Sequence, residues 1–411
     1  MNHPAFGLIG VFLILFLAWI FSENKKAIRP RTVLVCFALQ VAIAVLVLYV
    51  PFGQKVLAGM SNKVTTLLSY ADAGIGFVFG DLANTEKVGF VFLIKVLPVI
   101  IFFAALMEVL YHIKVMQLIV RYGGRAVQWL AGTRPVESLN VIANIFVGQT
   151  EAPLSLKPYL PSISRPELFT IMVSGMASIA GTVLAGYIQL GIRPEYLIAA
   201  CFMSAPAGLL MAKIIMPDDP KDLAKPVDEV FSLGSEREHS NVILAAAVGA
   251  QNGMTLAMNI GAIILAFVSL IALSNGILGW VGGFFGMENL SVQTILGFIF
   301  TPVMLALNVP WEEAQQAGAI FGEKVVLNEF IAYISLVGVQ DTLSERTVVI
   351  LTFALCGFAN FTSIAIFLGG LGSLIPDRMS EMAKMGVKAV FAASLANLMN
   401  AALAGILVSG F

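Results

Sequence analysis

The chain has 411 residues, 58% of them hydrophobic and 12% charged, with a net charge of -1 and a mean hydropathy of +0.90. Soluble domains carry roughly a quarter of their residues as charges, so this composition excludes a soluble globular protein, and the near-neutral balance offers no nucleic-acid surface. What remains is an all-α polytopic membrane protein, with material for about eight spanning helices of roughly 20 residues each and partial spans besides.

The three cysteines, Cys36, Cys201 and Cys356, lie in apolar runs and read as buried thiols. The histidines, His3, His112 and His239, are too dispersed for a metal-ligand motif.

In chain order, an apolar run at about 5–22 lacks the basic leader and cleavage site of a signal peptide and reads as a first span. Lys25, Lys26, Arg29 and Arg31 follow as a short basic loop, which the positive-inside rule places in the cytoplasm, with the N-terminus outside. A second span at about 33–50 leads to a stretch, 54–85, where Lys55, Lys63, Asp72 and Asp81 mix with apolar residues as in an amphipathic helix at the outer interface. A third span at about 88–113 carries Lys95 and Glu108 and returns inside to Lys114, Arg121, Arg125 and Arg134. Glu108 reads as a helix-end or interhelical hydrogen-bonding group in preference to a proton-path residue.

Residues 136–163 break this pattern, because Asn140, Asn144, Gln149, Glu151, Pro153, Lys157, Pro158 and Pro161 interrupt them. Irregular backbone survives at membrane depth only when buried in protein or lining a wet cavity, which predicts a re-entrant hairpin entered from the cytoplasm. A span at about 168–190, with Ser178 and Gly181 at its middle, runs to an external turn at Arg193-Pro194-Glu195, and another at about 196–216 ends at Pro217. The polar segment 218–240 reads as a solvated cytoplasmic linker between two halves.

The second half opens with a helix near 242–252, a span at about 254–274 and a Gly-rich apolar stretch through Gly282-Gly283. From Pro310 to about Val339 the hairpin pattern returns, with Glu312, Glu313, Glu323, Lys324, Asn328 and Glu329. Spans at about 347–372 and 385–409 complete the eight, with Arg378, Lys384 and Lys388 inside and both termini outside.

The halves match in order. Pro135-Val136-Glu137 and Pro310-Trp311-Glu312 begin the hairpins, Glu151 and Glu329 sit near their tips, and Arg165/Glu167 and Glu345/Arg346 begin the next helices. Gly175-Met176-Ala177-Ser178 and Gly357-Phe358-Ala359-Asn360 complete the correspondence. With the hairpins entering from opposite sides, the pattern predicts an inverted repeat whose interrupted helices form a substrate site near the midplane. Helix breaks expose free N–H donors and C=O acceptors, suited to an uncharged polar solute and a small cation.

The strings Gly148-Gln149-Thr150-Glu151-Ala152-Pro153, Asn328-Glu329-Phe330 and Cys356-Gly357-Phe358-Ala359-Asn360-Phe361 resemble those of the concentrative nucleoside transporters, in their bacterial sodium-coupled branch, and the similarity runs across nearly the whole chain. The resemblance implies a homotrimer in the inner membrane importing nucleosides such as uridine, cytidine or adenosine with sodium, by an elevator-like motion. It implies a scaffold of residues 1–114 and 241–275 and transport repeats of 115–216 and 276–411, with hairpins at about 136–163 and 310–339 and a linker at 217–240. Gln149, Thr150, Glu151 and Val183 are then expected at the nucleobase, and Glu329, Asn360 and Ser363 at the ribose hydroxyls beside Phe358. Sodium is expected at Asn144, Val147, Ser178 and Ile179, all hard oxygen ligands, with no other cofactor.

Three competing functions remain at this point. Proton coupling would need a protonatable residue at the cation position. A two-hairpin carrier of another polar solute, such as a dicarboxylate or amino acid, would need for an anionic substrate a basic group beside the tips, where only Lys157 and Lys324 lie near, both outside the motifs. An intramembrane hydrolase using Glu151 and Glu329 as acid and base would lack a nucleophile or metal set.

Overall fold

A computed structural model describes residues 4–157, 159–219, 239–287 and 290–408, and every regular element among them is helical. The first helices are α1 (Pro4–Ile20), α2 (Pro30–Leu48), α3 (Pro51–Phe79) and α4 (Leu97–His112). Proline in the first turn of α2, α3 and α4 starts each one where its missing N–H costs nothing. The span expected at 88–113 thus resolves into α4 preceded by two short helical turns, Thr85–Val88 and Phe92–Lys95. Six helical segments are long and apolar enough to cross a membrane among the described residues. The other two expected spans are the shorter α1 and a helix broken in its middle.

A helix that the sequence reading did not anticipate follows: α5 (Val115–Ala131). Its basic residues Arg121 and Arg125 are exposed, while Met116, Val120 and Gly124 recur every four residues on its buried face. The charges mark one side of an amphipathic helix. Left-handed residues bound it, Lys114 before and Gly132 after, and Gly124 lets it settle on Leu139 of α6 (Pro135–Ala143).

The first hairpin has only one regular arm. After α6 the chain turns through residues 144–151 and returns through short 3-10 segments, Ala152–Leu156 and Leu160–Ser162. Pro153 and Pro161 deny that return arm the N–H groups of a continuous helix.

The span expected at 168–190 is two half-helices, α7 (Arg165–Ala177) and α8 (Gly181–Gln189), split by an extended Ser178. A capping box between Ser164 and Glu167 starts α7. The buried helix α9 (Pro194–Ile215) follows. The linker expected at 217–240 falls mostly on residues 220–238, outside the described ones.

The elements expected at 242–252 and 254–274 are one helix of 43 residues, α10 (Val242–Phe284). At ~1.5 Å per residue it is about twice as long as the hydrocarbon core is thick. Gly249 and Gly253, four apart, bring its backbone against Ala105 and Ile101 of α4, a small-residue contact typical of helices packed in lipid. Its other faces present exposed Leu265, Trp280 and Phe284.

A second unanticipated helix, α11 (Val292–Ala306), bends by 118° into α12 (Trp311–Val326). The second hairpin is then α12 and α13 (Glu329–Val339), and the next span is again broken, into α14 (Glu345–Leu355) and α15 (Phe361–Leu374). The buried helix α16 (Met379–Val408) ends the described chain.

Polar contacts at the helix ends fix the relative direction of the two broken spans. Arg193, just beyond α8, pairs with Glu345 at the start of α14 at 3.0 Å. Arg378, just beyond α15, donates to the carbonyl of Ile163, just before α7, at 2.7 Å. The two broken helices therefore run antiparallel. Each hairpin base is tied to the start of the broken helix that follows it, the first by Arg134 to Glu167 at 2.9 Å, the second by Ser344 Oγ to Glu313 at 2.8 Å. The hairpins thus enter from opposite ends.

The sequence triplets expected to correspond are shifted in the structure. Gly175 and Ala177 lie within α7, whereas Gly357 and Ala359 lie in the break after α14. The equivalent positions are Ser178 and Cys356, each capping the C-terminal end of the first half-helix.

Candidate functional site

Four backbone interruptions meet at one place: the turn 144–151 after α6, the break after Ser178, the α12–α13 tip at Leu327-Asn328, and the break at Cys356–Asn360. Backbone bonds join them, from Phe358 N–H to the Ser178 carbonyl at 3.2 Å and from Gly181 N–H to the Phe146 carbonyl at 3.1 Å. Thr362 Oγ1 donates to the Leu327 carbonyl at 3.2 Å, so the second hairpin tip is fixed to the second break.

Local sequence builds the breaks. Asn328 and Asn360 are extended residues whose side chains accept from Ile331 N–H and Ser363 N–H, each at 2.9 Å, starting α13 and α15 afresh. A restarted helix presents positive dipole ends and free donors at the break.

Glu329 is the first residue of α13, so its carboxylate lies at such a positive end although it is only 5% exposed. Tyr187 Oη donates to its Oε1 and Asn360 Nδ2 to its Oε2, both at 2.9 Å. The Asn360 amide cannot face the other way, because its Oδ1 already accepts from Ser363 N–H and from Ser363 Oγ at 3.1 Å. Each carboxylate oxygen then has one donor and retains room for another.

The chain of bonds continues to the first hairpin, since Gln149 Nε2 donates to Ser363 Oγ at 3.4 Å. Gln149 Oε1 is buried and has no partner within the protein among the described residues. Gly175 provides the space for Gln149, since a Cβ there would lie 3.1 Å from that of Gln149. Thr150 packs on Gly370 of α15 in the same way. Four of the expected residues, Gln149, Glu329, Asn360 and Ser363, are therefore joined in one polar chain. Val183 is buried one helical turn before Tyr187, and Phe358 is half-buried in the second break. Glu151 differs from Glu329: it is exposed and accepts from its own loop, from Gly148 N–H at 3.0 Å.

The four expected cation ligands lie where the turn after α6 meets the first break. Asn144 caps the end of α6 and is 1% exposed, and neither its amide oxygen nor its nitrogen has a partner among the described residues. Val147, Ser178 and Ile179 are buried with it. Ser178 Oγ donates to the Ser174 carbonyl at 3.0 Å, which leaves its lone pairs as acceptors. A neutral set of hard oxygens with an unpaired amide suits an alkali ion better than a softer metal.

Three further residues build this site. Tyr187 orients Glu329. Asn397 on α16, wholly buried, donates from Nδ2 to the carbonyls of Ala177 at 2.7 Å and Cys356 at 3.0 Å, closing the ends of both first half-helices. Lys324 on α12, also wholly buried, donates to Asn397 Oδ1 at 2.8 Å and to the Ala354 carbonyl at 3.3 Å. The sequence held a signal for Lys324 and Asn397, since a polar side chain in an apolar helix needs a partner. A tyrosine in an apolar helix gives no such signal.

Comparison with known proteins agrees with this architecture. The family described as Na+ dependent nucleoside transporter C-terminus matches residues 196–405, its N-terminal counterpart matches 9–82, and a nucleoside recognition (gate) family matches 93–193. A protein of Bacillus subtilis (strain 168) called uncharacterized transporter YutK is 49% identical over 98% of this chain and 99% of its own length. The nucleoside permease NupC of Helicobacter pylori (strain ATCC 700392 / 26695) is 46% identical over 98% of this chain and 97% of its own. The structure of CNTnw in an inward-facing substrate-bound state aligns with a TM-score of 0.94 at 45% identity, covering 99% of this chain and 98% of that one. A variant of CNTnw in an outward-facing state aligns at 0.95 and 44% identity, covering 99% of both chains.

Proposed function

The chain belongs to the family of sodium-dependent nucleoside transporters, and from that premise we propose that it is a sodium-coupled symporter importing nucleosides across the inner membrane. The observation that carries this reading is the polar chain Gln149–Ser363–Asn360–Glu329, assembled from both halves at the first hairpin turn, the second helix break and the second hairpin tip. A nucleoside offers matching groups: base-edge donors and acceptors for Gln149, Thr150 and Glu151, and ribose hydroxyls for Glu329, Asn360 and Ser363, with Val183 and Phe358 against its apolar faces. Charge-assisted bonds from hydroxyls to Glu329 are the stronger ones in such a set.

Sodium, the co-substrate, would bind at Asn144, Val147, Ser178 and Ile179. These residues stand beside the nucleoside site through the Phe358-to-Ser178 backbone bond, which gives the two solutes a direct mechanical link. The antiparallel broken helices and oppositely entering hairpins support an inverted repeat; the proposed topology has eight spans and both termini outside. In this reading 115–216 and 276–411 move as one carrier body against a scaffold of 1–114 and 241–275, in a homotrimer.

Uptake of labelled uridine and adenosine into proteoliposomes under a sodium gradient, a proton gradient, or neither tests the proposal. Accumulation of unmodified nucleoside should require the sodium gradient. Full uptake under a proton gradient with choline replacing sodium would contradict it.

A further inference from the structure

We propose that the Lys324 ammonium is a tethered cation, occupying in the second half of the chain the place that the coupling ion takes in the first. The inference rests on the sodium site proposed above. In the first half, the proposed ion lies between the first arm of the hairpin, at Asn144, and the C-terminal end of the half-helix α7, at Ser178 and Ile179. In the second half, the first arm of the hairpin is α12, and its Lys324 Nζ reaches the C-terminal end of the half-helix α14 at the Ala354 carbonyl. Both half-helix ends are buried, and each carries the partial negative charge of aligned carbonyls that a cation offsets.

Three observations separate this from an ordinary buried ion pair. Lys324 is 0% exposed, and the groups that accept from it are an amide oxygen and a carbonyl, not a carboxylate. Its charge is further faced by the Phe321 ring, 5.6 Å away, an arrangement that attracts a cation. Finally, the Asn397 amide that accepts from Lys324 also donates to the end of α7 and to the cap of α14, so one residue stands between the two cation positions. Burying an ammonium with no carboxylate in contact is costly, the Glu329 carboxylate acting on it only through space. The expense is explained if the charge holds the α14 end, and with it the break bearing Phe358 and Asn360, in the geometry that receives the nucleoside. Lys324 is then a positioning residue that acts through Asn397 and the second break.

The test is uridine binding by calorimetry at fixed sodium for the full-length protein, Lys324→Met and Lys324→Arg, with the parent and Asn144→Ser also measured over a range of sodium concentrations. Met keeps the length and apolar stem and removes the charge; Arg keeps the charge. The expected result is binding weakened about tenfold or more in Lys324→Met and within a few-fold of the parent in Lys324→Arg. Binding in Lys324→Met within threefold of the parent, or equal losses in Met and Arg, would overturn the proposal. If Lys324→Met is not recovered folded, Lys324→Arg decides alone: near-parental binding supports a required charge and lost binding refutes it. Failure of both to fold would assign Lys324 to packing and also refute it. Failure of the underlying sodium reading appears separately, as an unchanged sodium response in Asn144→Ser.

Discussion

Tyr187, on the second half of the first broken helix, donates its hydroxyl to Glu329 at the tip of the opposite hairpin at 2.9 Å. One half of the chain therefore holds the carboxylate of the other, and neither half forms the proposed site alone. Tyr187→Phe keeps the ring against Phe330 and Tyr333, whose centroids lie 4.8 and 4.5 Å away, and removes only the bond. Hydrogen bonds to charged groups contribute ~1.5–3 kcal/mol, a loss borne by the folded protein, so the melting temperature should fall and, with Glu329 no longer held, uridine affinity should drop about tenfold. Parental affinity in the Phe variant would show that the bond does not orient the site.

Asn144→Ser shortens the one buried amide at the proposed cation position that has no partner among the described residues. The sodium concentration for half-maximal uridine uptake should rise about tenfold, from loss of one hard oxygen ligand. A sodium curve superimposable on the parent's would remove Asn144 from the ion site.

At the base of the first hairpin, Lys213 bonds both Glu137 and Asp218, and all three are at most 4% exposed. Removing one member of a buried charge cluster leaves the others uncompensated, at a cost of about 3–5 kcal/mol. Lys213→Met should lower thermal stability strongly, and Glu137→Gln less, because Asp218 still pairs the lysine, although the single amide oxygen can accept from only one of the two donors, Lys213 and Arg134 N–H, that the carboxylate now serves. Equal melting temperatures for parent and Lys213→Met would contradict this account.

Gly357→Ala places a methyl group 2.4 and 2.6 Å from the Asn397 amide atoms and 2.7 Å from the Ala177 carbonyl oxygen, where the two breaks cross beneath Asn397. Overpacking of this kind costs roughly 1–3 kcal/mol, and relief requires displacing the Asn397 amide that closes both half-helix ends or separating the breaks. The variant should remain folded in thermal unfolding yet lose most of its uridine uptake; uptake at half the parental rate or more would mean the crossing tolerates relaxation.

Much of this was legible in the sequence because lipid makes polar residues conspicuous. Gln149, Glu329 and Asn360 stood out against apolar runs, and the structure joins them. The break after Ser178 was hidden, since no proline or charge interrupts 168–190, and the split is imposed by tertiary contacts from Phe146 and Phe358. Helix α5 was obscured because its arginines read as loop charges when only one face was counted. Lys324 was set aside for lying outside a motif, although its burial, not its neighbours in sequence, determines its role. The return arm of the first hairpin could not have been drawn as a helix with Pro153 and Pro161 in it.

The account depends most on Glu329 as an acceptor for a ribose hydroxyl, and calorimetry of uridine, 2′-deoxyuridine and 3′-deoxyuridine tests that directly. A site built around a hydrogen bond rejects an analogue lacking the donor strongly, because the buried acceptor is left unpaired. In the parent protein at least one deoxy analogue should bind roughly 30-fold more weakly, or about 2 kcal/mol. Glu329→Gln should weaken uridine severely yet narrow that gap, because an unpaired amide costs less than an unpaired carboxylate, whereas Gln149→Ala should reorder the bases and keep the ribose preference. An unchanged ribose preference in Glu329→Gln would contradict the account.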